Sequence, residues 1–226
     1  MPPPSEHDRA AKDALFDAFA RVAKALANGH RAEIVDVLAQ GERSVDELAR
    51  EIGQSVANTS QHLQTLTRAG LTRSERRGSR VAYRLASDEV TRLWDTLRST
   101  ASTHLAEVEV LAGDYLGSRA DVEQIGADEL EARLADGTVV VLDVRPATEY
   151  TAGHIAGARS APLDDLAGTL SSFRPGAEIV AYCRGPYCVY ADDAVRLLRD
   201  RGLDARRLDI GFPEWRRTGR PVAAVN

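Results

Sequence analysis

The sequence predicts two domains of different class: a mainly-α domain closed by a β-hairpin, followed by an α/β domain with buried parallel strands. Three observations predict it. The length of 226 residues admits two cores of about 100 residues each. The first half repeats apolar residues at helical spacing, without strand–helix alternation, until one stretch alternates apolar and polar residues. The second half contains EIVAYCRGPYCV, where a short apolar run enters a Gly-Pro loop and a helical pattern leaves it.

The first ten residues, MPPPSEHDRA, read as a polar start that is disordered over 1–9 and carries no signal-peptide pattern. Leu15, Phe19, Val22 and Leu26 then recur at helical spacing up to Asn28-Gly29, a stop signal. A second helix from His30 to Gln40 buries Ile34, Val37 and Leu38. Ser44 and Glu47 form a capping-box pattern opening a helix that ends near Ile52 and buries Val45 and Leu48. After Gly53 a polar helix runs from about Ser55 to Ala69 and stops at Gly70. LTRSERRGSRVAYRLA reads as a two-stranded hairpin turning at Gly78-Ser79. This order of helices and hairpin is a winged helix-turn-helix. A last helix, about Asp88 to Gly113, puts Val90, Leu93, Trp94, Leu97, Ala101, Leu105, Val108 and Leu111 on one face. That stripe is longer than a small three-helix core can cover, and with the first helix it implies a two-fold dimer seam.

Charge placement points to nucleic acid although the whole chain carries a formal charge of −5. Between Arg68 and Arg84, the arginines at 68, 73, 76, 77, 80 and 84 face only Glu75. A basic hairpin of this kind supplies phosphate contacts. On the preceding helix, Asn58, Thr59, Ser60, Gln61, His62, Gln64 and Thr65 offer short hydrogen-bonding side chains, with Val56, Leu63 and Leu66 expected to pack inward. Either this is a face that enters a major groove, with Arg68, Arg73, Arg76, Arg77 and Arg80 beside it, or it is an ordinary solvated helix.

Residues 10–112 resemble the ArsR/SmtB family of bacterial repressors, through the continuous stretch from Leu26 to Leu85. The resemblance implies a homodimer that binds double-stranded operator DNA and releases it when an inducer, often a metal ion or an oxidant, binds. The metal reading fails on residue identity. Ser44, Val45, Asp46, Glu47 and Leu48 stand where the family has its thiolate box. Thr91 and Leu93 stand where ligands should precede His104 and Glu107. Two ligands cannot hold a tetrahedral zinc, so no metal or other cofactor is expected and His104 reads as an interface residue. GDYLGSRADVEQI supplies a short hinge, taken as residues 113–121, before a second domain over 122–226.

Both cysteines of the chain, Cys183 and Cys188, lie in one loop. A chain using cysteine merely as a small core residue would scatter it. Ile179–Tyr182 reads as a buried parallel strand, and Ala191, Ala194, Val195, Leu197 and Leu198 mark a helix from Tyr190 to Arg201. The loop therefore joins a strand's C-terminal end to a helix's N-terminal end, where backbone N–H groups and the helix dipole favour an anion. A thiolate at Cys183 would be held there by the Arg184, Gly185, Pro186, Tyr187 loop, with Arg184 as its cation.

LDVRPATEYTAGHIAGARSAPL, with Asp143, Arg145, Glu149, Tyr150, Gly153 and His154, precedes this loop; GFPEWRRTGRPV, with Gly211, Trp215, Gly219 and Pro221, follows it. Through these motifs residues 122–226 resemble a single-domain rhodanese. The resemblance implies a central parallel sheet flanked by helices and a loop cysteine that carries a persulfide taken from thiosulfate or another sulfane-sulfur donor. Asp143, Arg145, Glu149 and His154 read as structural polar groups, and Trp215 as a core aromatic under the loop. Related phosphatases and arsenate reductases place an arginine six positions after the cysteine. Here that position is Val189, so the loop suits a sulfur atom or small thiol-borne donor. Cys188 departs from the commonest rhodanese loops: it either resolves a Cys183 persulfide or closes the loop as a small residue.

The combined reading is a DNA-binding regulator, a repressor by resemblance, whose rhodanese module handles reactive sulfur species. The alternatives are a sulfurtransferase whose first domain dimerises it or controls its own expression, and a DNA-binding protein with a vestigial second domain. Expected partners are operator DNA, a second copy of the chain, and a sulfane-sulfur donor or low-molecular-weight thiol. No apolar stretch reaches membrane-spanning length, so a cytoplasmic protein with initially reduced thiols is expected.

Overall fold

Alanine-rich sequence with a well-spaced ion pair starts the first helix inside the segment expected to be disordered. In the structure, a computed structural model describing residues 6–78, 80–170, 173–174 and 176–225, α1 runs Glu6–Leu26. Arg9 pairs with Asp13 one turn on, at 2.9 Å, and residues 10–11 are alanines, the best helix formers. Residues 1–5 lie outside the described residues. The chain divides into two units, Met1–Arg98 and Ser99–Asn226.

In the first unit side-chain caps open three helices, the predicted capping box among them. Asn28 both ends α1 and caps α2 (Gly29–Ala39), its side-chain oxygen accepting the Arg31 N–H at 3.2 Å. After β1 (Arg43–Ser44), the capping box opens α3 (Val45–Glu51): the Glu47 N–H donates to Ser44 Oγ, and the Ser44 N–H donates to Glu47 Oε2 at 2.7 Å. Ser55 caps α4 (Val56–Arg68) in the same way. β2 (Thr72–Arg77) and β3 (Arg80–Leu85) pair antiparallel with Arg77 opposite Arg80, so the strands reverse between these two residues, with Gly78 in the turn. Gly78 takes φ +63° there, a conformation that favours glycine; Ser79 lies outside the described residues. β1 adds to β3, and Ile34, Val35, Leu38, Leu48, Leu63, Leu66 and Val90 share the core.

The long last helix of the sequence reading is two helices, α5 (Asp88–His104) and α6 (Ala106–Leu116). Leu105 leaves helical geometry at φ −111° and ψ 99°. Upstream, the Thr103 hydroxyl donates to the Ser99 carbonyl, the back-bonding that bends helices and weakens their continuation. Apolar residues Leu15, Phe16 and Phe19 of α1 and Leu93 and Leu97 of α5 stay exposed.

The second unit alternates strand and helix: β4 (Gln124–Ile125), α7 (Ala127–Ala135), β5 (Val139–Asp143), α8 (Ala147–Ala152), β6 (His154–Ile155), β7 (Arg159–Ser160), α9 (Leu163–Thr169), β8 (Glu178–Tyr182), α10 (Tyr190–Arg199), β9 (Asp204–Leu208), α11 (Phe212–Arg217) and β10 (Val222–Ala223). Five strands form a parallel sheet in the order β4-β9-β8-β5-β7, with β8 at its centre, and β6 pairs with β10 separately. Period-two alternation along β8 sorts the core into two layers. Ile179, Ala181 and Cys183 join Ala191, Ala194, Val195 and Leu198 of α10 on one face. Val180 and Tyr182 join Ile155, Phe212 and Trp215 on the other. Trp215 is thus fully buried as a core aromatic, but across the sheet from Cys183 rather than beneath its loop.

Candidate functional site

Cys183 leaves the end of the central strand and is held there: its carbonyl accepts the Phe212 N–H at 3.2 Å, and its side chain is 2% exposed. The sulfur lies 3.8 Å from the Gly185 carbonyl oxygen and 3.7 Å from that of Cys188. Burial opposes ionisation of this thiol. It is outweighed by the Cys188 thiol, the Gly185 and Ala191 N–H groups and the charge of Arg207, which bring the pKa down to about 7. Cys188 moves the other way, pushed well above the ordinary cysteine range by its hydrogen bond to Cys183 and by burial. One thiol is therefore set to be the nucleophile while its neighbour keeps the proton.

The cation beside this thiolate is not the one the sequence pointed to. Arg184 turns to Glu149, donating from Nη2 to Oε1 at 2.6 Å, with its guanidinium 5.6 Å from the Tyr190 ring centre. A buried carboxylate needs such a partner more than an N–H-rich loop does. Arg207 of β9 takes the role instead. It is buried, donates to the Gly185 carbonyl at 3.1 Å, and lies 3.0 Å from Asp192 Oδ1 without hydrogen-bond alignment. Asp192, fully buried in the first turn of α10, also receives Arg119 Nε at 2.7 Å. Arg119 further donates to the Pro186 carbonyl at 2.8 Å and the Cys188 carbonyl at 3.3 Å.

Sequence reading missed Arg119, Asp192 and Arg207. Arg207 had a signal, since it shares the inward face of its strand with Ala205; Arg119 sits in a hinge, where no periodicity marks it. Of the predicted loop, Gly185 and Pro186 contribute backbone groups. The Tyr187 hydroxyl lies 2.5 Å from Ser102 Oγ.

The structural polar set behaves as predicted. Asp143 and Arg145 form a buried pair at 2.6 Å, the Tyr182 hydroxyl donates to Asp143 at 2.5 Å, and Arg145 donates to the Gly153 carbonyl at 2.7 Å. Glu149 holds Arg184, and His154 stacks on Tyr150 with ring centres 3.8 Å apart.

Gly211 explains its own place in the downstream motif: a Cβ there would come within 2.3 Å of the Arg184 carbonyl oxygen, which is backbone and cannot swing aside. Gly211→Ala is expected to cost about 1–3 kcal/mol by overpacking, read as a lower urea midpoint, while an unchanged midpoint would show that the loop relaxes freely.

On the first unit, the candidate DNA face is rotated from the predicted one. Asn58, Gln61, Gln64, Thr65 and Arg68 are exposed, and Ser60 and His62 are half-buried. Thr59 is fully buried and donates its hydroxyl to the Ser55 carbonyl at 3.0 Å, so it is not available to DNA. Val56, expected inside, is exposed. The inward stripe is Thr59, Leu63 and Leu66, spaced four and three residues apart as a helix requires. Arg73, Arg76 and Arg80 are exposed on the hairpin; the side chain of Arg77 lies outside the described residues.

A helix-turn-helix domain family matches residues 26–75, and the rhodanese-like domain family matches residues 126–218. The chain is 48% identical over 211 residues to the HTH-type transcriptional regulator Rv0324 of Mycobacterium tuberculosis, covering 93% of this chain and 92% of that one. Among solved structures, the homodimeric winged helix-turn-helix DNA-binding domain of a possible ArsR-family regulator from Mycobacterium bovis is 42% identical, over 47% of this chain and 95% of that one, with a TM-score of 0.42. The rhodanese-like domain of the Anabaena Alr3790 protein is 32% identical, over 45% and 78% respectively, with a TM-score of 0.39. Among the described residues no helix is long and apolar enough to cross a membrane.

Proposed function

Since the chain belongs to a family of helix-turn-helix transcriptional regulators with a C-terminal rhodanese-like domain, we propose that it regulates transcription as a dimer whose second domain senses reactive sulfur through Cys183. The observation that carries this reading is the thiol pair of one loop, Cys183 at the end of the central strand and Cys188 packed beside it, both unbridged; the lowered pKa of the one and the raised pKa of the other fit that pairing. Cys183 thiolate attacks the sulfane sulfur of a persulfide or polysulfide donor; the donor's S–S bond breaks, its thiolate leaves, and Cys183 carries the transferred sulfur. The Cys188 sulfur then attacks the inner sulfur of that persulfide. Hydrosulfide leaves, the Cys188 proton passes to solvent, and a Cys183–Cys188 disulfide remains. The two thiols are oxidised and the sulfane sulfur is reduced, so no further oxidant is needed.

DNA contact is assigned to the exposed polar residues of α4 and to Arg68, Arg73, Arg76 and Arg80, with the hairpin on phosphates. The exposed apolar residues of α1 and α5 supply the self-association surface. A double-stranded operator with dyad symmetry offers two half-sites, one for each face of such a dimer.

Intact mass spectrometry after exposure to a polysulfide, with operator binding followed on the same samples, tests the proposal. Wild type is expected to lose two hydrogens and change its DNA affinity. Cys188→Ser should stop at a persulfide, and Cys183→Ser should take up no sulfur and keep its affinity. A Cys183→Ser protein that still responds on DNA would overturn it; a wild-type persulfide that turns over to acceptors with DNA binding unchanged would mark a sulfurtransferase instead.

A further inference from the structure

Arg119 lies between α6 and β4, in a stretch that the sequence presents as a mere hinge, yet it is among the most fully engaged side chains around the loop. Its guanidinium holds two consecutive parts of the site: the carbonyls of Pro186 and Cys188, and Asp192 in the first turn of α10. Asp192 in turn faces Arg207, which holds the Gly185 carbonyl. Residues 185–188 are thus gripped through their carbonyls at both ends by a chain of half-buried Arg119 and buried Asp192 and Arg207. Planar, forked guanidinium groups suit this work, because several donors are fixed at once.

We propose that Arg119 is the positioning residue of the sulfur loop, and that closing a Cys183–Cys188 bridge releases it. The second half rests on the proposed function. Cys183 is the fixed partner, since it follows the central strand and its carbonyl is bound by Phe212. A disulfide holds its sulfurs at about 2.05 Å with a dihedral near 90°, much closer than a thiol–thiolate hydrogen bond. Residues 185–188 must therefore supply the movement, and these carry the carbonyls that Arg119 holds. Losing them leaves Arg119 with Asp192 alone and loosens its side chain, while Ser118 and Asp121 beside it stay held by Arg196 and Arg199; this connecting stretch leads back in sequence toward the DNA-binding helices. The chemistry of the loop thereby becomes a change in the connecting chain.

In the reduced state the same grip sets reactivity. Arg119 shares Asp192 with Arg207; without Arg119, the carboxylate is left to Arg207 alone and draws its charge away from the Cys183 sulfur.

The Arg119–Ala120 bond is a direct reporter, because trypsin must take the Arg119 side chain into its own pocket and cannot while the loop holds it. The full-length protein is treated with trypsin in three states: reduced, bridged by diamide, and exposed to polysulfide. Diamide removes two electrons and two protons from the thiol pair, giving the same disulfide without any sulfur donor. Bridging is verified by intact mass, and cleavage at exposed Arg80 is the internal reference. Cleavage at Arg119 is expected to be about tenfold faster, or more, once the bridge has formed. Bridged protein with an unchanged rate at Arg119 overturns the release. Release on diamide with no bridge from polysulfide sustains the release and overturns the sulfur-sensing reading. No bridge from either reagent overturns both. For the positioning role, Arg119→Gln should move the pH midpoint of Cys183 alkylation upward and Arg119→Lys should restore much of it. A wild-type profile in Arg119→Gln overturns that role.

Discussion

Arg145→Leu is expected to lower the stability of the second unit by about 3–5 kcal/mol, enough to leave it marginal. The reason is what the substitution strands. Asp143 and Arg145 are both completely buried, and the guanidinium meets the carboxylate through Nε at 2.9 Å and Nη2 at 2.6 Å. Removing the cation leaves a buried carboxylate with the Tyr182 hydroxyl and the Arg145 backbone N–H as remaining donors, and leaves the Gly153 carbonyl without its 2.7 Å donor. Tyr182 stays a neutral donor and brings no compensating positive charge, since burial and the neighbouring carboxylate push its phenol far above its ordinary range. The guanidinium also lies 4.4 Å from the Phe212 ring centre, so a cation–π contact under α11 goes with it. Urea unfolding checks this: the midpoint should drop sharply for Arg145→Leu, whereas Asp143→Leu combined with Arg145→Met should recover much of it, because a pair replaced together strands no charge. A single variant as stable as wild type would show that water reaches Asp143.

How far the sequence carried depended on whether a signal was local. The capping box and the hairpin turn were legible because their chemistry is complete within four residues: Ser44 with Glu47, and Gly78 at the tip of the hairpin. The strand–loop–helix around Cys183 was legible because an apolar run and a helical pattern bracket it. Signals that depend on partners distant in sequence failed. Arg184 is next to Cys183 in sequence, yet Glu149, 35 residues away, claims it, and Arg207 arrives from another strand. The break at Leu105 was invisible because apolar periodicity runs through it; hydroxyl side chains bonding back to the helix carry no periodic signature. Thr59 failed for a related reason. A threonine among polar neighbours reads as surface, but its place one turn before Leu63 puts it in the core.

The alkylation rate of Cys183 with iodoacetamide is expected to follow the thiolate fraction, with a midpoint near pH 7. Below the midpoint the thiol is protonated and the rate falls about tenfold per pH unit; above it the rate levels off. Four groups outweigh burial here, the Cys188 thiol, the Gly185 and Ala191 N–H groups and the charge of Arg207, and the two side chains can be removed singly. Cys188→Ala deletes the S–H that donates to the thiolate, and Arg207→Gln deletes the charge beside it. Both remove stabilisation of the ionised form while burial still opposes it, so both midpoints must rise, toward or beyond the ordinary value of about 8.5. At pH 7 a midpoint of 8.5 leaves about 3% thiolate, so alkylation should be about 15-fold slower than in wild type. Cys188→Ser should lose less, because its hydroxyl can still donate. A Cys188→Ala profile that overlays the wild-type curve would show that the second thiol does not tune the first, and would return Cys188 to the simpler role of a small residue closing the loop.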